Sequence, residues 1–137
     1  MLKFVCIPAL LSLASCTVVT ESDPIAPPAT GFLTAVWSIA GAQDARACAR
    51  WDVAEVSMAV FDLEGFLVSR RSSPCEVFEL SAELDTGPYG TRFYDAEVLL
   101  LGTRGEPASD LVELFDLQVQ TDRDLTVYVD FPPGSIL

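Results

Sequence analysis

The side chains of this 137-residue chain that could do chemistry are thiols and carboxylates, because it contains no histidine. The four cysteines are Cys6, Cys16, Cys48 and Cys75, and aspartate and glutamate together number twenty. Without histidine, Ser-His-Asp and Cys-His catalysis are excluded and the commonest zinc ligand is missing. The only lysine is Lys3, so lysine nucleophiles and Schiff bases are excluded beyond it. Cysteine sulfur and carboxylate pairs are what remains.

Two carboxylate pairs lie in predicted turns, Asp62 with Glu64 and Asp122 with Asp124. Calcium takes six to eight oxygen ligands, and neither pair belongs to a complete Asp-x-Asp-x-Asp-Gly loop. These four residues are therefore weak calcium candidates, and no metal site or other cofactor is expected. A glycosidase pair would face each other across a cleft, whereas every carboxylate here fits a turn or a solvated face. The sequence predicts no catalytic residue and no enzyme.

Cys16 follows a short apolar segment that begins after Lys3 and runs over 4–14. That length suits a secretory signal and is too short for a transmembrane helix, which needs about 20 apolar residues. Leu13-Ala14-Ser15-Cys16 resembles the lipobox of bacterial lipoproteins. The resemblance implies cleavage before Cys16 and acylation of its thiol and amine, and two or more chains anchor a protein stably. An ordinary signal peptide followed by a coincidental cysteine is the alternative.

The predicted organisation is a signal peptide over 1–15, a lipidated and proline-rich tether over 16–30, and a folded domain over 31–137. Thr17, rather than aspartate, follows the lipidated cysteine. By resemblance to other lipoproteins, this implies the outer membrane of the cell envelope, on its periplasmic or surface face.

The net charge of −12 indicates which partners are expected. Nucleic acid requires a basic footprint, so it is excluded as a partner. The same charge repels anionic lipid headgroups, so the acyl chains alone would hold the protein at the membrane. The expected partners are the membrane, through the anchor, and an envelope protein or glycan.

Cys48 and Cys75 are the cysteines left once Cys6 is removed with the signal and Cys16 is acylated. In an oxidising compartment such a pair predicts one disulfide. A redox-active pair is the alternative, although the spacing is far from Cys-x-x-Cys.

Alternating apolar residues and regularly spaced turns predict seven strands and little helix beyond one turn around Cys48. The predicted fold class is all-β, a single antiparallel β-sandwich of immunoglobulin/transthyretin type. A small β-barrel is the alternative fold. The predicted strands are Phe32–Ala40, Val53–Asp62, Phe66–Arg70, Cys75–Leu84, Tyr89–Leu101, Leu114–Gln120 and Leu125–Phe131.

The same alternation assigns side chains to faces. Trp37 is expected in the core near the disulfide, and Phe115 on the same face as Leu117 and Val119. The fifth strand is long enough to bend near Tyr94 or Asp95. The aromatic residues at the start of this strand are Tyr89, Phe93 and Tyr94. They could form a binding face, although aromatic residues in strands are more commonly half-buried. The pair Arg70-Arg71 is expected to end a strand and contact nearby carboxylates.

The segment Leu84-Asp85-Thr86-Gly87-Pro88-Tyr89 resembles the Leu-x-x-Gly-x-Tyr corner of transthyretin-like and carboxypeptidase-regulatory-like sandwiches. The whole layout, including the cysteine pair and the closing Asp130-Phe131-Pro132, resembles small lipoproteins of myxobacteria. The resemblance implies a fold and a location rather than an activity. The expected function is a non-enzymatic structural or interaction module of the envelope, and the alternative is a carbohydrate- or calcium-binding domain.

Overall fold

The structure, a computed structural model, describes residues 27–137, so the predicted signal segment and Cys16 lie outside the described residues. It contains seven strands, one short helix and two 3₁₀ turns. None of the helices in 27–137 is long and apolar enough to cross a bilayer. The elements are β1 Thr30–Ile39, α1 Ala45–Arg50, β2 Glu55–Phe61, β3 Leu67–Pro74, a 3₁₀ turn Cys75–Val77, β4 Glu79–Asp85, β5 Thr91–Leu101, β6 Val112–Gln120, β7 Asp124–Phe131 and a 3₁₀ turn Pro133–Ser135.

The strands form two sheets, one ordered β4-β1-β7 and the other β3-β2-β5-β6. Neighbouring strands are antiparallel except β1 and β7, which run parallel from Phe32↔Asp124 to Ile39↔Phe131. The predicted all-β sandwich of seven strands is confirmed. The parallel pair is the one departure, and it arises because the last strand returns beside the first instead of forming a hairpin with β6.

The core lies between the sheets and is built by alternate residues of each strand. A side chain every second residue points to the same face, so the predicted inward set of β1 is buried, as are inward residues of β2 and β5. The most enclosed of these residues are Leu33, Trp37, Ile39, Val56, Met58, Val60, Val98 and Leu100.

The disulfide between Cys48 and Cys75 is present and joins α1 to the 3₁₀ turn before β4. Asp44 caps the helix, since its side chain accepts a hydrogen bond from the Arg46 N–H at 2.9 Å. The indole Nε1 of Trp37 donates to the Cys75 carbonyl oxygen at 3.1 Å. The predicted placement of Trp37 beside the disulfide is thereby confirmed.

The predicted boundaries of β3 and β4 are wrong. Strand β3 continues to Pro74 instead of ending at Arg70, and Phe78 interrupts the next segment with a left-handed φ of 60°. Arg70 and Arg71 therefore lie in the middle of an edge strand. Neither forms an ion pair with any residue of 27–137, contrary to the expected carboxylate contacts.

Candidate functional site

A groove of about 280 Å³ crosses the outer face of the four-stranded sheet, where β2, β5 and β6 meet the β2–β3 hairpin. We call it the outer groove. Its walls combine aromatic rings with carboxylates, and its lining is Phe61, Asp62, Leu63, Gly65, Asp95, Ala96, Glu97, Glu113 and Phe115.

A bulge in β6 places Phe115 in this groove. The pairing with β5 passes from Tyr94↔Leu117 to Ala96↔Leu114, so Phe115 and Asp116 together face Asp95 alone. Asp116 has a left-handed φ of 55°, and its N–H donates to Asp95 Oδ1 at 3.0 Å. An extra residue reverses the alternation beyond it.

The prediction that Phe115 shares a face with Leu117 and Val119 is therefore wrong. Leu114 takes the inward position with those two residues, and Phe115 is 63% exposed on the outer face. The bend of the fifth strand near Tyr94 or Asp95 stays a prediction, and the β5–β6 register shifts between Tyr94 and Ala96.

Two glutamates stand directly opposite each other in the groove, Glu97 on β5 and Glu113 on β6. Neither side-chain carboxylate accepts a hydrogen bond or forms an ion pair within residues 27–137. Like charges directly opposite on neighbouring strands are destabilising. The fold thus tolerates a repulsive pair at this position.

The β2–β3 hairpin forms one end of the groove and leaves several apolar side chains in water. Asp62 Oδ1 accepts from the N–H groups of Glu64 and Phe66 at 3.0 and 2.9 Å, and Gly65 supplies a φ of 90°. The turn holds Phe66 at 69% exposure. We call the four exposed apolar residues of this hairpin, Leu63, Phe66, Leu67 and Val68, the hairpin patch.

The four carboxylate residues predicted as weak calcium candidates lie in turns or at the start of a strand. Asp62 holds the hairpin turn, Glu64 is exposed, and Asp122 adopts a left-handed φ of 58° in the β6–β7 turn. Asp124 Oδ1 accepts from Thr34 Oγ1 at 2.7 Å, which satisfies this buried outer-face hydroxyl. Among residues 27–137 no three His, Cys, Asp or Glu side chains are grouped to hold a metal ion.

The aromatic residues at the start of β5 separate into different environments. Tyr89 is 93% exposed, Phe93 is partly exposed, and Tyr94 is buried. The Tyr94 hydroxyl donates to the Asp85 carbonyl oxygen, as in the tyrosine corners of β-sandwiches. Burial raises the pKa of Tyr94, although nearby Arg92 opposes this, so the hydroxyl keeps its proton. The tyrosine that holds this corner is therefore Tyr94, and not Tyr89 of the Leu-x-x-Gly-x-Tyr segment.

A smaller depression of about 170 Å³ lies on the other sheet beside Tyr128, which is 79% exposed in the middle of β7. Ser38, Gln43 and Asp130 also line it. The Asp130 carboxylate accepts from Ser38 Oγ at 2.6 Å, and Gln43 Nε2 donates to the Trp37 carbonyl oxygen at 3.0 Å. An exposed phenol ring therefore sits among ordered polar groups.

No protein-family model matches this chain, and no curated protein matches it. A solved structure from Bacteroides thetaiotaomicron, of a proposed polysaccharide-binding protein (DUF1812), is similar over 72% of this chain, with a TM-score of 0.36 and 12% sequence identity. The chain spans 46% of the length of that protein.

Proposed function

We propose that this protein is a lipid-anchored, non-enzymatic interaction module of the bacterial cell envelope, held at the outer membrane. Its sandwich meets a partner through the outer groove and the adjoining hairpin patch. The observation that carries the interaction role is the combination of exposed Phe115 with the unpaired carboxylates of Glu97 and Glu113 on one sheet face, beside a hairpin that exposes Phe66.

Exposed apolar groups of this kind favour a contact surface. Soluble proteins expose scattered apolar residues, whereas contiguous apolar patches rimmed by polar groups mark interaction sites. Leu63 lines the groove and Leu67 pairs with Phe61 across the strands, so this part of the hairpin patch adjoins the groove. The rim is supplied by Asp95, Glu97 and Glu113.

The anchor rests on the sequence before the sandwich. Cys16 follows the apolar segment 4–14, and the segment 16–30 would separate the sandwich from the membrane. At about 3 Å per residue for extended, proline-rich chain, that segment reaches at most about 45 Å. Such a tether gives the outer groove freedom to meet a partner at the membrane surface.

Replacing Cys16 by serine should release the protein from membranes, because the hydroxyl cannot receive the thioether-linked acyl chains that hold it there. Membrane fractionation with labelled palmitate measures this, with label expected on the wild type and absent from Cys16→Ser. Cys6→Ser is the matched control, since Cys6 lies within the predicted signal peptide, and this variant should remain labelled and membrane-bound. A Cys16→Ser chain that stays in the membrane pellet after a high-salt wash would contradict the anchor.

A carbohydrate ligand is the second candidate function, favoured by the depression beside Tyr128. An exposed phenol ring can stack on the apolar face of a sugar, while nearby amide, hydroxyl and carboxylate groups provide orientation. These polar groups belong to Gln43, Ser38 and Asp130.

Tyr128→Ser should abolish binding on a glycan array if sugar is the ligand, because it removes the stacking ring and leaves the neighbouring polar groups. Tyr89→Ser serves as the control, since Tyr89 is also largely exposed but lies in the β4–β5 turn. An array on which the wild-type chain retains no glycan would eliminate this candidate.

A further inference from the structure

We propose that the outer groove receives a lysine or arginine side chain of a partner polypeptide lying across the four-stranded sheet. This inference rests on the proposed interaction role and names the chemistry of the partner.

Charge complementarity is the first reason. Glu97 and Glu113 repel each other across neighbouring strands, and a cation placed between them would turn that repulsion into two attractions. Arg70 of β3 also lies on the outer face. It is separated from Glu97 of β5 by strand β2, where both residues pair with Ala59. It forms no ion pair with any residue of 27–137, so the described chain does not supply the counter-charge itself.

The aromatic walls are the second reason. Phe61 and Phe115 both line the groove that contains the two glutamates. A cation over the face of an aromatic ring is attracted by the ring quadrupole. The methylene stem of lysine or arginine packs against apolar surface while its charged head stays near carboxylates. The groove offers both surfaces to the same side chain.

The hairpin patch favours a polypeptide over a free cation as the ligand of the outer groove. No three carboxylates in 27–137 are grouped for a metal ion, and a soluble polyamine would leave the apolar side chains beside the groove in water. A polypeptide can insert a basic residue and cover Leu63, Phe66 and Leu67 with its apolar residues. Aromatic and arginine anchors together are typical of the centres of protein interfaces.

The test measures, by isothermal titration, binding of an acetylated, amidated octapeptide of alternating leucine and lysine to the full chain in detergent. Glu97→Gln/Glu113→Gln should weaken this binding by about tenfold or more, because both carboxylates are lost while their shape is kept. The control Glu76→Gln/Glu79→Gln makes the same charge change away from the groove and should stay within about twofold of wild type. The melting temperature of Glu97→Gln/Glu113→Gln should equal or exceed that of wild type, which excludes misfolding as the cause.

Three results would overturn the inference. They are equal binding by the two charge variants, equal binding of a leucine–glutamate peptide, or the absence of peptide binding. Spermine bound as tightly as the peptide would overturn the choice of a polypeptide. If Phe61→Ser/Phe115→Ser loses the peptide but Glu97→Gln/Glu113→Gln does not, the interaction surface stands and the basic side chain falls. The anchor is tested separately by fractionation of Cys16→Ser.

Discussion

Replacing Trp37 by alanine should lower the free energy of unfolding by about 3–5 kcal/mol, the range for deleting a buried aromatic side chain. Trp37 is fully enclosed, packs against Phe78 at 6.3 Å between ring centroids, and donates a hydrogen bond to the Cys75 carbonyl oxygen. The variant loses this packing, leaves a cavity, and removes one of the two donors to the buried Cys75 carbonyl oxygen, the other being the Phe78 N–H.

Urea unfolding followed by circular dichroism measures the change. Tyr128→Ala is the matched control, because Tyr128 is aromatic and exposed, and its loss should alter stability by no more than about 0.5 kcal/mol. If Trp37→Ala does not fold, Trp37→Phe keeps most of the packing without the indole donor and should be destabilised by about 0.5–1.5 kcal/mol, the net value of one hydrogen bond. A Trp37→Phe chain as stable as wild type would show that the indole hydrogen bond contributes nothing.

The core could be predicted from sequence because burial imposes a local pattern. In β1, alternation alone places Leu33, Trp37 and Ile39 inward, and the structure agrees. The disulfide could be predicted for a different reason, since the predicted signal peptide and lipidation site account for Cys6 and Cys16 and leave one pair of cysteines. Both predictions needed no knowledge of which strands are neighbours.

The outer groove could not be predicted because it depends on pairing between distant segments. That Glu97 and Glu113 face each other follows from the β5–β6 register, which the alternation of either strand leaves open. Phe115 reaches the groove through a bulge whose left-handed residue is Asp116. Aspartate tolerates that conformation better than most residues, but an aspartate inside a strand is too weak a signal to predict a bulge.

The edge strand shows the same limitation. Nothing local distinguishes a strand that ends at Arg70 from one that continues to Pro74, because Ser72 and Ser73 favour neither. Pairing with β2 decides, since Glu55 finds its partner in Pro74. Arginines on an exposed edge discourage pairing with other chains, which is a sufficient structural role for Arg70 and Arg71.

Removing the disulfide should destabilise the fold by about 3.5 kcal/mol, the chain-entropy value for a bridge with the sequence separation of 27 found between Cys48 and Cys75. Cys48→Ala/Cys75→Ala is the variant of choice, because a single substitution would leave a buried free thiol. Urea unfolding with and without reductant measures the effect. The wild type should lose stability on reduction, while the double variant should be insensitive to it.

The same double variant separates stability from binding. The Cys75 N–H donates to the Ala54 carbonyl oxygen, just before β2 begins, whereas Phe61 in the outer groove ends that strand. At about 3.3 Å per residue, the two ends of β2 are about 20 Å apart. Folded Cys48→Ala/Cys75→Ala should therefore bind the leucine–lysine peptide within about twofold of wild type. Equal stability of the wild type with and without reductant would refute the stabilising bridge. A selective loss of peptide binding in the folded double variant would show that the bridge also shapes the groove.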